Sequence, residues 1–265
     1  MNWKMTFAKN ISNIYGLLNI LSKPQLDHRI LMYHSIGEKV MHDSSNMYSV
    51  NEILFRRQME YLSNKFTNNV VSLSADILEN KNNSVAITFD DGYRDNLYVA
   101  SPILEELKIP YTVFVSTEYI KDKNNNFLSE SELRELSNMP GASIGSHGVT
   151  HAALSQCSDK KLKNELTDSK HYIEDVIGKE INSIGYPSGS VDQRVVNAVM
   201  EAGYQLGGTS YNDRNNHNSK ELFLARTCIF GIDTMRVFKQ KVNGDWDWLK
   251  YIQKRPEIIL NRENR

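Results

Sequence analysis

Cysteine is nearly missing from this chain: Cys157 and Cys228 are the only two among 265 residues. That is too few for a disulfide framework or for a cysteine cage around zinc. Free thiols, as in a reducing compartment, are the expectation. Net charge is nearly missing too, at -1, so no global basic field marks the chain for nucleic acid. No linker rich in proline, glycine or serine divides the sequence, and no internal repeat is found. A single domain is therefore expected.

Acidic residues are absent from the first 26 positions, which carry Lys4, Lys9 and Lys23. Ile11, Ile14, Tyr15, Leu18 and Leu21 recur there at helical spacing, with Ser12, Asn13, Gly16 and Asn19 on the other side. Asn13 and Asn19 interrupt the apolar run and no Ala-x-Ala site follows, which makes a poor secretory signal. The stretch is also too short and too polar to span a bilayer. Residues 1–27 are thus expected to form an amphipathic helical segment ahead of a domain over 28–265. The helix either packs against that domain or lies on an anionic membrane surface with Trp3 and Phe7 as anchors. The expected location is the cytoplasm, free or peripheral to the inner face of the membrane.

What the chain has in quantity is short apolar runs alternating with helical patterns. Strands are expected at 30–33, 70–73, 85–89, 111–115, 142–145, 183–186, 205–208 and 222–227. Helices are expected at 54–64, 97–107, 130–138, 160–177, 191–202 and 234–242, with an amphipathic stretch at 246–254 closing the domain. Ser129 and Glu132 form a capping box, and Gly203 stands where a helix end needs a left-handed residue. The Asn-rich segments 121–126 and 212–218 read as exposed loops. Such alternation argues for parallel βαβ units, and eight strand candidates suggest a barrel. His34, Asp90–Asp91, His147 and Tyr186–Pro187 each follow or end a strand. In a parallel barrel this puts reactive groups from four segments on the one rim where active sites gather.

Residues 88–93 read Thr-Phe-Asp-Asp-Gly-Tyr, and 146–154 read Ser-His-Gly-Val-Thr-His-Ala-Ala-Leu. Alone, Asp-Asp-Gly is a solvated turn and two histidines are a polar loop. Together they supply adjacent carboxylates and two imidazoles four residues apart, able to hold one divalent metal with an open position. Successive residues leaving a strand point to opposite sides, which divides the two carboxylates between metal ligand and base. The chain reads as a metal-dependent hydrolase.

These motifs resemble the polysaccharide deacetylase family, also called carbohydrate esterase family 4 or the NodB homology domain. The first resembles Thr-Phe-Asp-Asp-Gly-Tyr and the second His-x-x-x-His. Ile184-Gly-Tyr-Pro-Ser-Gly189 is similar to the third motif of the branch reading Ala-Tyr-Pro-Tyr-Gly. That branch also shows the Tyr33-His34 pair and a Phe-x-x-Gln-Met-x-x-Leu helix, as at 55–62. The resemblance covers about 29–242 and implies an α/β fold, a distorted (β/α) barrel with about seven parallel strands. It implies that Asp91, His147 and His151 bind the metal, with zinc the default and cobalt or nickel fitting the same ligands. It implies that Asp90 is the general base and that the backbone N–H of Ser188 holds the oxyanion. Tyr93, Tyr186, Pro187 and Arg226 are the expected substrate-binding residues. Many members have Arg where this chain has Gly185, and that Arg orients the catalytic carboxylate; Arg226 is the candidate substitute. No Leu-x-His stands near the C-terminus, where many members keep the general acid, so His34 is the candidate.

The implied activity is removal of N-acetyl groups from an amino sugar of a bacterial surface polysaccharide, or from a lipid-linked or nucleotide-linked precursor. The alternatives are amide or formamide hydrolysis on a non-polymeric substrate, and a catalytically silent glycan-binding barrel. The sequence does not specify an oligomeric state.

Overall fold

The computed structural model describes residues 3–20, 27–37, 47–121 and 126–259. In chain order its strands are β1 (His28–Tyr33), β2 (Ser35–Ile36), β3 (Ser49–Val50), β4 (Ser84–Phe89), β5 (Tyr111–Val115), β6 (Ala142–Ser146), β7 (Ser183–Gly185), β8 (Leu206–Gly208) and β9 (Thr227–Cys228). Seven make one sheet, ordered β8-β7-β6-β5-β4-β1-β9, while β2 and β3 pair separately. Every pairing in the large sheet is parallel.

Every residue of β1, β4 and β5 is buried, as parallel strands covered on both faces must be. Alternate side chains separate into two layers. Ile30, Ala86 and Phe114 point inward with Leu206 and Leu224. Leu31, Tyr33, Ile87, Phe89, Val113 and Val115 point outward. The outer layer is covered by helices α2 (Glu52–Lys65), α3 (Ser101–Glu106), α5 (Glu130–Ser137), α6 (Asp159–Ile177), α7 (Gln193–Glu201) and α8 (Met235–Asn243), with α4 (Thr117–Lys121) beside the rim. Helix α1 (Trp3–Ile20) packs against α8. The capping box at Ser129 and Glu132 is formed, and Gly203 is left-handed at φ 82°.

Four expectations are corrected. Segment 70–73 is no strand: only Val70 makes an isolated bridge, to Val85. The expected helix at 97–107 begins as a wide π turn at Asn96–Ala100 before α3. The expected strand at 222–227 is split. A 3₁₀ turn occupies Glu221–Phe223, Leu224 bridges Gly208, and only Thr227–Cys228 pairs with β1. The barrel is therefore closed by a seam between β8 and β1, stitched by residues 224–228. Segment 212–218 is a loop, but only His217 and Asn218 in it are exposed. Asn215 is buried, exchanges backbone hydrogen bonds with His28, and uses its amide to bond Ala225 on both N–H and C=O. Residues 122–125, together with Leu21, Lys23 and the side chains of Trp3, Phe7 and Leu18, lie outside those described.

Candidate metal and catalytic centre

The chain leaves β4 at Phe89, and the Asp90 N–H still donates to the Tyr33 carbonyl at 2.9 Å. It then turns through left-handed residues, Asp91 at φ 76° and Gly92 at φ 78°. A side chain at position 92 would also strike Val115, 2.8 Å from where its Cβ would stand. This turn aims Asp91 across the rim at the segment after β6. There the His147 N–H bonds the Val115 carbonyl, and left-handed Gly148 and His151 fold the loop tightly. The two histidines converge through this loop, not through a helix. Glu165 of α6, itself buried, accepts from the Val149 and Thr150 N–H groups and the Thr150 hydroxyl, at 2.8, 3.0 and 2.5 Å.

Asp91 Oδ1 lies 3.5 Å from His147 Nε2 and 3.4 Å from His151 Nε2. The three ligating atoms fall within 4.8 Å of one another. His147 Nδ1–H donates to the Gly185 carbonyl at 2.7 Å, which leaves the Nε2 lone pair free for an ion. Burial lowers His147 to about 3 and pushes His151 down as well, so both rings are neutral. Burial raises Asp91 to about 6, and its Oδ1 is buried with no hydrogen-bond partner. Such an oxygen is costly unless something cationic meets it. Two neutral imidazoles and one carboxylate with an unsatisfied oxygen fit a divalent cation.

Asp90 lies on the other side. Arg226 grips it with both arms, Nη1 to Oδ1 at 2.6 Å and Nη2 to Oδ2 at 2.8 Å. Burial alone would raise this carboxyl, but the Arg226 charge and its hydrogen bonds override that and hold Asp90 at about 2. Its Oδ2 stands 3.9 Å from His147 Nε2, beside the three candidate ligands without joining them.

A family model for polysaccharide deacetylase matches residues 78–207. A Bacillus subtilis protein assigned to the polysaccharide deacetylases is 31% identical over 186 residues, spanning 68% of this chain and 63% of its own length. The chain belongs to the polysaccharide deacetylase family. Peptidoglycan-N-acetylglucosamine deacetylase of Bacillus cereus is 33% identical over 128 residues, 48% of this chain and 56% of its own. This chain thus spans roughly three fifths of the length of the curated relatives it matches. A Streptococcus pyogenes deacetylase solved in complex with acetate superposes with a TM-score of 0.71 at 26% identity, over 83% of this chain and 99% of that one.

In this deacetylase-family chain the remaining expected residues divide. His34, Tyr93 and Ser188 line one cavity of about 520 Å³ together with Asp90, Asp91 and both histidines. His34 Nδ1 is buried without a partner, and its ring lies 4.6 Å from that of Tyr48. Ser188 is exposed on the wall at φ 54°. The Tyr93 hydroxyl lies near Asp91, and its ring stacks on Phe127. Tyr186 and Arg226 line the same cavity, but their polar atoms are turned to partners within the protein. Tyr186 is fully buried and donates to the Leu222 carbonyl at 2.7 Å. Arg226 is 1% exposed and also bonds Thr209 O and Thr88 Oγ1, so most of its donors are used inside the protein. Pro187 is buried beneath Ser188. Sequence reading missed Glu165, Tyr48, Phe230 and Trp246. For Glu165 a signal existed: it shares the inward stripe of α6 with Leu162, Leu166 and Ser169, where an acid needs a partner. The three aromatic residues come from segments with no motif.

Proposed function

We propose that this protein is a metal-dependent N-deacetylase acting on an acetylated amino sugar of a bacterial glycan or of its lipid-linked precursor. The observation that carries the reading is the buried, unpartnered Asp91 Oδ1 facing two neutral imidazoles, with a second carboxylate clamped alongside. Asp91, His147 and His151 would hold the ion, zinc by ligand preference, which when bound polarises an acyl carbonyl and acidifies water.

The protein's own groups do the rest. Arg226 keeps Asp90 ionised and fixed, so Asp90 takes the proton from the attacking water. Ser188 is part of the cavity wall, and its backbone N–H would receive the developing oxyanion. His34, on the same cavity, donates a proton to the nitrogen as the carbon–nitrogen bond breaks, releasing acetate and the free amine. Tyr48, Phe230 and Trp246 line the cavity with apolar faces that suit a sugar ring. The named activity of the Bacillus cereus relative and the acetate held by the Streptococcus pyogenes relative support an N-acetyl substrate. Mass spectrometry of N-acetylglucosamine oligomers after incubation with zinc-loaded protein should show stepwise acetyl loss with matching acetate release. Protein that binds the metal stoichiometrically yet deacetylates none of these oligomers would sink the reading.

A further inference from the structure

Helix α1 is mounted with its polar side inward. Buried Ser12 accepts from Trp248 Nε1 at 2.9 Å. Asn13 accepts from Gln240 and Arg236 of α8. Gly16 is buried against Asp245, whose carboxyl would lie 2.7 Å from a Cβ there. The opposite side leaves Ile14 60% and Leu17 66% exposed. A helix that merely completes a core does the reverse.

The exposed apolar surface continues onto the next segment. Tyr15 hydrogen-bonds Tyr251, which is 74% exposed, and Ile252 beside it is 68% exposed. The same short stretch faces the catalytic cavity with Trp246, Leu249 and Gln253. One side of residues 246–253 therefore lines the cavity while the other joins the exposed apolar patch.

We infer that α1 and residues 251–252 form a docking surface for an anionic lipid bilayer, seating the catalytic cavity beside the membrane. Charge favours lipid over other occupants. The first 26 residues hold Lys4, Lys9 and Lys23 and no acid, Lys254 is exposed nearby, and the acid that meets the helix, Asp245, lies on its inner side. A segment with this basic composition and an exposed apolar helix face suits anionic headgroups. Four exposed apolar side chains are a small patch for a stable dimer, which needs roughly 800 Å² per partner. No helix among the described residues is long and apolar enough to cross a membrane, so the contact is with the surface. The inference stands apart from the deacetylase reading, because its readout is binding.

The test is co-sedimentation of the full chain with phosphatidylcholine vesicles, with and without phosphatidylglycerol, alongside light scattering for oligomeric state. Wild-type protein should pellet with the anionic vesicles and be released by high salt. Ile14→Gln with Leu17→Gln, both helix-compatible, should weaken binding by at least roughly tenfold. The double variant should keep its circular dichroism and its rate of acetate release from soluble oligomers. Wild-type protein left in the supernatant overturns the inference. So does a double variant that pellets like wild type, or a dimer dissolved by these substitutions with no vesicle binding.

Discussion

A carboxylate whose two oxygens are both held by one guanidinium cannot swing, and that is the state of Asp90. Its role separates cleanly from ligation. Asp90→Asn is expected to retain one metal per chain after gel filtration while kcat falls by about 10²–10⁴; retained turnover would remove Asp90 as the base. Arg226→Lys keeps the charge and loses the fork, so kcat should drop about tenfold with KM and metal content held. Steady-state kinetics on a soluble oligomer decides it, and an unchanged kcat would make the clamp dispensable. Asp90, Asp91, His147 and His151 were legible because their spacing carries chemistry. Arg226 was legible only as a substitute for a missing group, since no local pattern joins residue 226 to residue 90. Tyr186 was legible as a residue of the cavity wall, but its motif position says nothing of which way its hydroxyl points.

Helices α5 and α6 show what capping and anchoring contribute. Glu165 fixes the 147–151 loop through three hydrogen bonds. Glu165→Gln removes the charge those N–H groups face and should weaken metal affinity about 10–100-fold, measured by chelator competition. At α5, burial would raise Glu132, but the Ser129 N–H, Arg94 and Tyr98 outweigh it and lower it from 4.5 to about 2. The fold therefore favours the ionised form. That contribution is whole above pH 4.5 and is lost as pH falls toward 2. Glu132→Gln should cost about 1 kcal/mol at neutral pH, and the gap to wild type should close toward pH 2 in denaturant titrations. A gap independent of pH would assign the loss to packing. The capping box was readable because its two residues are three apart. Segment 70–73 was not: an apolar run of four becomes a strand only if a neighbour's register receives it, and β4 gives it a single bridge.

The molecule as a whole is closed by contacts distant in sequence. Arg29 on β1 makes a bidentate pair with Asp247 at 2.8 and 3.0 Å, fully buried, and Arg214 joins the same carboxylate. Asp247→Ala leaves the buried Arg29 without its carboxylate and should destabilise the protein by about 3–5 kcal/mol, read as a lower denaturation midpoint at an unchanged slope. The strand–helix alternation made the parallel barrel legible, since periodicity is local. The seam was not, because its pieces are joined by Asn215 and by the split segment 224–228, whose pairings depend on three dimensions. That seam has a steric consequence. Asp90 is reached from residue 226 through space left by Gly208, where a Cβ would stand 2.8 Å from the Arg226 Cδ. At the other candidate position, 185, a Cβ would meet His147 and Phe114 at 3.0 Å. An arginine at 185 would have to push those rings aside, whereas the one at 226 has its path kept open by a missing side chain. The hold on Asp90 thus rests on an atom that position 208 lacks.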